Sequence, residues 1–336
     1  MNLSPILRWL LWPLSLVYGI AVQLRLWLYA RGILQTKRLR TPVISVGNLT
    51  VGGTGKTPMV IWLAERFLAK GKRVAILSRG YKGSGETSDE IALMKYRLRG
   101  RVVFGVGANR YKEGRRLEQQ GVDVFLLDDG YQHVQLHRDV NILLLDAAQP
   151  LGGEMLLPAG RMREPVSAMS RASVLVFTRT ETSAGAAAAI GKLQDYPVFS
   201  AATRLLGFQR FGGGAQVLAQ AEIGAGPFFA FCGIGNPQAF FRDLRSWRLS
   251  VAGVRAFPDH CRYTSKDVGA LARVAQSAGA RAFVTTEKDA QNLGPAQFGE
   301  LPVFVTVIDL EISEEAAFWE TIQAQIVAKT PLRMVH

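Results

Sequence analysis

The 336-residue sequence contains little cysteine and comparatively few acidic residues. With only two cysteines, Cys232 and Cys261, a disulfide framework is excluded and a reducing compartment is expected. Lys and Arg number 40 against 27 Asp and Glu, which gives a formal net charge of +13. This imbalance predicts an anionic partner, which could be a nucleic acid, an acidic membrane face or a phosphorylated substrate.

The uncharged run at the N-terminus, from Trp9 to Leu24, is shorter than the about 20 apolar residues that a spanning helix needs, and it includes Pro13. Tryptophans and tyrosines are scattered through this region, and a series of arginines follows it. We therefore expect a membrane-embedded or interfacial helix with a basic, aromatic rim on the cytoplasmic side. A single spanning helix and a buried helix of a soluble core remain alternatives.

A glycine-rich turn follows the short buried strand predicted from Val43 and leads into a helix predicted to end near Ala69. Strand, glycine loop, Gly-Lys-Thr and helix in this order predict a phosphate-binding loop, because glycines let backbone N–H groups face a phosphate. Lys56 is expected to reach the β- and γ-phosphates, and Thr57 to bind Mg²⁺. Thr50 replaces the usual first glycine, so a chance Gly-Lys-Thr at a helix start is the alternative. The candidate nucleotide-binding residues are Thr50, Val51, Gly52, Gly53, Thr54, Gly55, Lys56 and Thr57.

A second apolar strand, predicted from Val122, ends in Asp128 and Asp129. In proteins with a phosphate loop, an aspartate at the end of such a downstream strand helps to bind the magnesium ion. The pattern leaves open which of the two aspartates binds the metal, and a turn built on Asp-Asp-Gly is the alternative. The candidate substrate or phosphate ligands are Arg79, Glu90, Arg110, Gln132 and His133.

Predicted strands alternate with helices along the rest of the chain, which indicates an α/β fold with a parallel sheet in each half. One predicted strand is Val140–Asp146, and one helix is predicted from about Ile91. Ligands of such sheets gather at the carboxyl ends of strands. The expected divisions are an N-terminal membrane-associated helix (1–35), a phosphate-loop nucleotide-binding α/β domain (36–198), a β-hairpin linker (199–222) and a smaller C-terminal α/β domain (223–336).

Two other functions are compatible with parts of this pattern. A GTPase switch or metallochaperone would have an Asn-Lys-x-Asp guanine reader, but the corresponding strand end is Thr178-Arg179-Thr180-Glu181, and the sequence has no recognisable Cys/His cluster. A membrane-tethered nucleic-acid protein would have a recognisable reading module, and none is evident. We therefore expect no nucleic-acid partner and no obligate protein partner.

Seven segments occur in an order that resembles the tetraacyldisaccharide 4′-kinases, the lipid A kinases of Gram-negative bacteria. The resemblance covers nearly the whole chain, including the apolar N-terminus, and the unusual Thr50 belongs to that family's pattern. Cys261 stands where many members have a second histidine, which suggests His260 as the working imidazole. The segments are Gly47–Pro58, Ser78–Tyr81, Asp89–Glu90, Asp128–His133, Leu157–Pro165, Phe257–His260 and Thr286–Ala290.

The resemblance implies transfer of the γ-phosphate of ATP to the 4′-hydroxyl of a tetraacylated glucosamine disaccharide 1-phosphate, which gives lipid IV-A. It implies two α/β lobes joined by a β-hairpin, ATP and Mg²⁺ as cofactors, and a lipid substrate met at the cytoplasmic face of the inner membrane. Asp89 would be the base, with His260 orienting it or sharing the proton. Lys56 and Asp129 are the other expected catalytic residues, and the expected metal ligands are Thr57, Asp128 and Asp129.

Overall fold

The structure is a computed structural model that describes residues 4–80, 88–151, 155–180, 195–294, 298 and 300–329. The sequence also predicts a flexible loop at Lys82–Glu90, which lies largely outside these residues, and a helix around Ala184–Ile190, which lies wholly outside them. The chain divides into two compact units. The first unit is Met1–Lys82, Leu98–Ala202 and Glu311–His336, and the second is Gly83–Arg97 and Thr203–Leu310.

The described elements follow the alternation that the sequence predicts. The helices are α1 (Pro5–Ala30), α2 (Lys56–Ala69), α3 (Asp89–Leu98), α4 (Arg110–Glu118), α5 (Pro237–Ser246), α6 (Ser265–Ser277), α7 (Glu287–Ala290) and α8 (Glu315–Lys329). The strands are β1 (Val43–Asn48), β2 (Val74–Ser78), β3 (Val103–Val106), β4 (Val124–Asp128), β5 (Val140–Asp146), β6 (Val174–Thr178), β7 (Val198–Arg210), β8 (Phe228–Cys232), β9 (Val251–Ala256), β10 (Ala282–Thr286) and β11 (Val303–Ile312). Short 3₁₀ helices lie at Val166–Arg171 and Gln220–Ile223.

The sheet of the first unit has the strand order β3-β2-β4-β1-β5-β6-β7, and its ladders are parallel. Every residue of β1 and of β4 is buried, as expected for apolar strands covered on both faces by helices. The chain runs from β1 through α2 to β2 on one side and later returns to place β5 on the other. The end of β1 is therefore a topological switch point, where ligands of α/β sheets bind. The predicted α/β fold with a parallel sheet is confirmed.

The second unit is organised around β8, β10 and β11, with the strand order β7-β11-β10-β8-β9 and parallel ladders at β8–β9, β8–β10 and β10–β11. Its core is aromatic, with Phe231 in ring contact with Tyr263, Phe283 and Phe298. The 13-residue β7 ends near a turn and forms an isolated antiparallel bridge between Phe208 and Leu218.

Helix α3 begins at Asp89 rather than near Ile91. The Ser88 hydroxyl accepts a hydrogen bond from the Ile91 amide (3.4 Å), which is the contact of an N-cap residue. The two acidic residues are therefore the first residues of the helix, where their charge complements the helix dipole.

Helix α1 is 26 residues long, longer than the uncharged run in the sequence. Only Ser15 and Gly19 are buried along it, whereas Trp9, Leu10 and Ile20 are exposed. The buried pair marks its docking face, because the Ser15 hydroxyl donates to the Leu156 carbonyl (3.0 Å) and accepts from the Ala159 amide (2.9 Å). Among the described residues it is the one helix long and apolar enough to cross a membrane. The alternative of a helix buried in a soluble core is wrong.

Candidate active site

In the first unit, the loop between β1 and α2 leads into the N-terminus of α2. Gly55 is the N-cap and has φ +83°, a left-handed conformation that favours glycine. It offers no capping side chain, and the first turn of α2 contains no acidic residue. The amides and the positive dipole end of α2 are therefore suited to an anion such as a phosphate.

Side chains from the ends of neighbouring strands fix the shape of this loop. At the end of β1, the Asn48 amide donates to the Thr54 hydroxyl (2.9 Å), and at the end of β6 the Thr178 hydroxyl donates to the Thr54 carbonyl (3.1 Å). Gln132 donates to the Asn48 carbonyl (2.9 Å). Gln132, predicted as a substrate ligand, thus braces the strand that leads into the loop.

Two arginines that lie outside the phosphate-loop motif donate hydrogen bonds to carbonyls of the loop. Arg161 donates to the Val51 carbonyl (2.8 Å), and Arg179 donates to the Gly53 carbonyl (3.0 Å). Arg179 belongs to the strand end that would carry a guanine reader in a GTPase. Neither arginine was predicted as a loop contact, because nothing in the local sequence indicates which distant segment meets the loop.

Lys56 and Asp129 form a pair beside the loop. The Lys56 Nζ lies 3.6 Å from Asp129 Oδ1, and Arg163 Nη1 donates to both Asp129 oxygens (2.8 and 2.9 Å). Burial raises the pKa of the Asp129 carboxyl, but the charges of Lys56 and Arg163 outweigh it and hold that pKa below its usual range. Asp129 also has φ +48°, an uncommon backbone conformation for a residue other than glycine. The site keeps an ionised carboxylate between two cations.

The predicted metal ligands are Thr57, in the first turn of α2, and the two aspartates at the end of β4. Asp128 is buried and pairs in register with Val46 of β1, so the carboxyl end of β4 lies next to the strand that enters the phosphate loop. A hydroxyl and one or two carboxylates suit Mg²⁺, which usually completes its octahedron with waters and substrate phosphates. Over the described ranges, no cluster of three or more His, Cys, Asp or Glu could hold a metal by itself. The donor set fits Mg²⁺ bound together with a nucleotide.

Basic side chains surround His133 in the first unit. Arg110, the first residue of α4, is buried, and its Nη1 donates to the Ala108 carbonyl (3.2 Å). Burial, followed by the charges of Arg110 and Arg138, lowers the pKa of His133 to about 4. Burial and the nearby charge of Arg79 also lower the pKa of Arg110. His133 is therefore neutral at pH 7 within a positive environment that suits an anionic group.

A carboxylate–imidazole pair lies in the second unit. His260 Nδ1 is 2.9 Å from Asp89 Oδ2 and 3.0 Å from Oδ1, although the two residues are 171 positions apart. His260 has φ +60°, and its amide donates to the Gly233 carbonyl (3.1 Å) at the end of β8. The loop after β9 thus presents the imidazole to the N-terminus of α3.

The two members of this pair differ in exposure. The side chain of Asp89 is 3% exposed and that of His260 is 39% exposed. The hydrogen bond with Asp89 raises the pKa of His260, against burial and the charge of Lys288. Burial raises the pKa of Asp89, but the contacts with His260 and Lys288 outweigh it and lower that pKa overall. Asp89 is the enclosed, ionised partner, and the imidazole is the accessible one.

Two further side chains contact this pair and were missed as site residues. Lys288 Nζ lies 3.6 Å from Asp89 Oδ2 and 3.9 Å from Glu90 Oε1. The Asn292 amide donates to Asp89 Oδ2 (3.2 Å). Lys288 belongs to one of the segments that carry the family resemblance, so its position was a usable signal, whereas Asn292 had none.

Each unit therefore brings a subset of the predicted residues together. The first unit gathers the phosphate loop with Asp128, Asp129 and Gln132, and the second gathers Asp89, Glu90 and His260. The first set is suited to holding a polyphosphate, and the second to accepting a proton.

Comparisons with known proteins give a consistent result. The family model described as tetraacyldisaccharide-1-P 4′-kinase matches residues 7–327. The tetraacyldisaccharide 4′-kinase of Geobacter metallireducens is 41% identical over 91% of this chain and 94% of its own length. That of Geobacter sulfurreducens is 42% identical over 88% of this chain and 86% of its own. A crystal structure of LpxK from Aquifex aeolicus in complex with ATP is 32% identical, has a TM-score of 0.72, and covers 95% of this chain and 99% of its own.

Proposed function

The chain belongs to the tetraacyldisaccharide-1-P 4′-kinase family, and on this premise we propose that it transfers the γ-phosphate of ATP to the 4′-hydroxyl of a tetraacyldisaccharide 1-phosphate. A phosphate loop alone would equally suit a nucleotide switch. The observation that favours a kinase is the pair of Asp89 and His260, because a sugar hydroxyl must lose its proton as it attacks phosphorus. The pair supplies a base that a GTPase switch does not need.

On the nucleotide side, the loop amides and Lys56 would hold the β- and γ-phosphates of ATP. Thr57 with Asp128 or Asp129 would hold Mg²⁺, which neutralises charge on the phosphate oxygens. Arg163 keeps Asp129 ionised and fixed in orientation. Phosphoryl transfer depends mainly on such positioning and charge stabilisation, so a rigid loop braced by neighbouring strand ends is what the reaction requires.

On the acceptor side, the family resemblance implies Asp89 as the base. We assign the proton to the imidazole of His260 instead, because the side chain of Asp89 is enclosed and that of His260 is accessible. Asp89 accepts the Nδ1–H of His260, which leaves Nε2, 3.7 Å from Asp259 Oδ2, as the basic nitrogen of the ring. The O–H bond of the sugar breaks towards Nε2, an O–P bond forms, and the bond between the γ-phosphorus and the bridging oxygen breaks to release ADP. Asp89 then stabilises the imidazolium that results.

The remaining predicted ligands suit the anionic and polar parts of the substrate. Arg79 and Arg110, near the neutral His133, are candidates for binding the substrate 1-phosphate. Glu90 carries an acceptor near the Asp89–His260 pair and is a candidate for binding a sugar hydroxyl. These assignments follow from charge and position.

Helix α1 supports a membrane-associated enzyme at the cytoplasmic face of the inner membrane. Its exposed tryptophans and aliphatic side chains suit the acyl chains of a bilayer, and its cationic residues suit an anionic lipid surface. Replacing exposed Trp9 and Leu10 by Asn is expected to reduce flotation with anionic vesicles while leaving the Ser15 docking contact in place. Unchanged flotation of this double variant would argue against the anchor.

The function is tested with the full-length protein and γ-labelled nucleotide. The expected result is label in the lipid when Mg-ATP and tetraacyldisaccharide 1-phosphate are present together. Label released as phosphate from GTP without lipid would favour the nucleotide switch. DNA-dependent nucleotide hydrolysis would favour a nucleic-acid protein. Either outcome without lipid phosphorylation rejects the proposal.

A further inference from the structure

Lys288 is enclosed by carboxylates in the second unit. Its ammonium lies 3.1 Å from Asp259 Oδ1, 3.6 Å from Asp89 Oδ2 and 3.9 Å from Glu90 Oε1, and the side chain is 18% exposed. We propose that Lys288 is a positioning residue that lowers the proton affinity of the Asp89–His260 pair, so that the imidazole is ready to accept a proton near neutral pH. The proposal rests on the proposed function, in which this pair is the base.

The backbone that carries Lys288 is fixed by its neighbour Asp289. The Thr286 hydroxyl caps α7 through the Asp289 amide (3.1 Å) and also donates to Asp289 Oδ2 (2.6 Å). Asp289 Oδ1 accepts from the Gly233 amide (2.7 Å) and the Tyr263 hydroxyl (2.6 Å). None of these contacts involves the Lys288 side chain, so its ammonium can be removed without releasing α7.

The residue on the other side of Lys288 ties α7 to the helix that carries Asp89. Glu287 accepts from Arg97 Nη1 through both carboxylate oxygens (2.9 and 3.0 Å), and Arg97 lies in the last turn of α3. Arg97 Nη1 also donates to the Ile308 carbonyl (3.0 Å). The consecutive residues Glu287 and Lys288 therefore contact opposite ends of α3, and the Lys288 ammonium stays beside Asp89.

In the described part of the chain, charged groups near His260 come from at least three segments. Asp89 belongs to α3, Asp259 belongs to the loop of His260, with Oδ2 at 3.7 Å from Nε2, and Lys288, whose charge acts on His260, belongs to α7. Without Lys288, the carboxylates of Asp89 and Asp259 beside the imidazole would lose the cation that contacts both of them. Such a surrounding favours the imidazolium, which cannot accept the proton of a hydroxyl.

The directions of the pKa shifts agree with this arrangement. The charge of Lys288 lowers the pKa of His260 against the raising effect of Asp89. In return, burial lowers the pKa of Lys288, but Asp89, Asp259 and Glu90 outweigh it and raise that pKa, so the ammonium is charged at neutral pH. A lysine kept charged in this way supplies a fixed positive charge beside the base.

The test compares Lys288→Met, which removes the charge, with Lys288→Arg, which keeps it. Lys266→Met, at an exposed lysine of α6 in the same unit, is the matched control. The first readout is the His260 ring titration by NMR, which needs neither lipid nor ATP and is simplified because the chain has only 4 histidines. We expect the pKa of His260 to rise by about one unit in Lys288→Met and to stay near the wild-type value in the other two variants.

The second readout is the pH profile of kcat/KM for transfer to the lipid disaccharide. In Lys288→Met the acidic limb of this profile should move to higher pH by about one unit, the same shift as the pKa of His260. At pH values below the wild-type pKa, kcat/KM should therefore be about tenfold lower than in the wild type. The KM for ATP should not change. In Lys288→Arg the acidic limb should lie at the wild-type pH, because the positive charge is kept. If Lys288 only filled space, charge would not decide the position of this limb.

Asp259→Asn is an independent variant that should shift the pKa of His260 in the opposite direction. It removes a carboxylate that faces both Lys288 and His260 Nε2, so it should lower the pKa of His260. If neither Lys288→Met nor Asp259→Asn moves the His260 titration, the electrostatic role is wrong even when the melting temperature changes. If the titration moves as expected but wild-type protein phosphorylates no lipid, the proposed function fails, and with it the catalytic purpose assigned to Lys288.

Discussion

The phosphate loop of the first unit and the Asp89–His260 pair of the second are built from different parts of the chain. The loop is mostly backbone from the eight consecutive residues Thr50–Thr57, and distant side chains brace its carbonyls. The pair consists of side chains 171 positions apart, held by Lys288 and Asn292 from a third segment. A contiguous backbone site is visible as a motif, whereas a site made of converging side chains becomes visible only once the chain is folded.

Both sites place a non-glycine residue in the left-handed region of the backbone. Asp129 has φ +48° and His260 has φ +60°. Such conformations cost on the order of 1 kcal/mol or more and persist where the surroundings enforce them. Arg163 holds the first residue in place, and Asp89 holds the second. Two of the six such residues in the described part of the chain are therefore predicted catalytic residues.

Of the substitutions that distinguish the two sites, Lys56→Met should have the largest effect. The loss of the ammonium removes a positive group expected at the transferred phosphate, so kcat should fall about 10³-fold. Transfer of labelled phosphate to the lipid disaccharide measures it. Lys70→Met, at the exposed C-cap of the same helix, is the control and should behave as wild type. Full turnover of Lys56→Met would show that the loop works through its backbone alone.

His260→Ala should lower kcat about 10²- to 10³-fold, because the accessible base is lost. Nucleotide affinity, measured by calorimetry with a non-hydrolysable ATP analogue, should stay near the wild-type value, since the residues of the phosphate loop belong to the first unit and His260 belongs to the second. Asp89→Asn should give a similar loss because it removes the acceptor that orients the imidazole. Near-wild-type turnover of either variant rules out the pair as the base.

Arg163→Lys should have a moderate effect of about tenfold on kcat. It keeps a positive charge but loses the two-pronged contact with Asp129, which fixes the orientation of that carboxylate. Stopped assays at saturating ATP measure the loss. Arg163→Met should be more damaging than Arg163→Lys, and equal activity of the two variants would mean that the positive charge beside Asp129 is unimportant.

His133→Asn should have the smallest effect at neutral pH and a visible one in acid. The folded-state pKa of His133, about 4, lies below the unfolded value of about 6.5. The unfolded chain therefore binds more protons between these values, and folding stability falls as pH drops from about 6.5 to about 4. In the Asn variant this part of the loss should disappear, so its melting temperature should fall less over the same window. Parallel curves for the two proteins would contradict a neutral, buried His133.

The local elements were predictable because their signals are local. Helix α2 ends at Ala69 as predicted, and β5 spans Val140–Asp146 as predicted. The start of α3 was placed too late, since a serine cap is a weaker signal than an apolar period. The exposure of α1 was expected from its aromatic and basic composition, but its docking through Ser15 onto the Leu156 region was not, because two small residues in an apolar helix give no indication of their partner.

The sequence by itself determined the phosphate loop, the acidic end of β4, the alternation of strands and helices, and the family of the chain. Glycine, strand and helix signals act between residues a few positions apart, so they can be read in order. Only the tertiary structure decided that Arg163 clamps Asp129, that Lys288 and Asn292 flank Asp89, and that Asp89 is enclosed while His260 is accessible. Those contacts depend on strand register and helix packing between segments more than thirty residues apart, and burial and electrostatics act through space rather than along the chain.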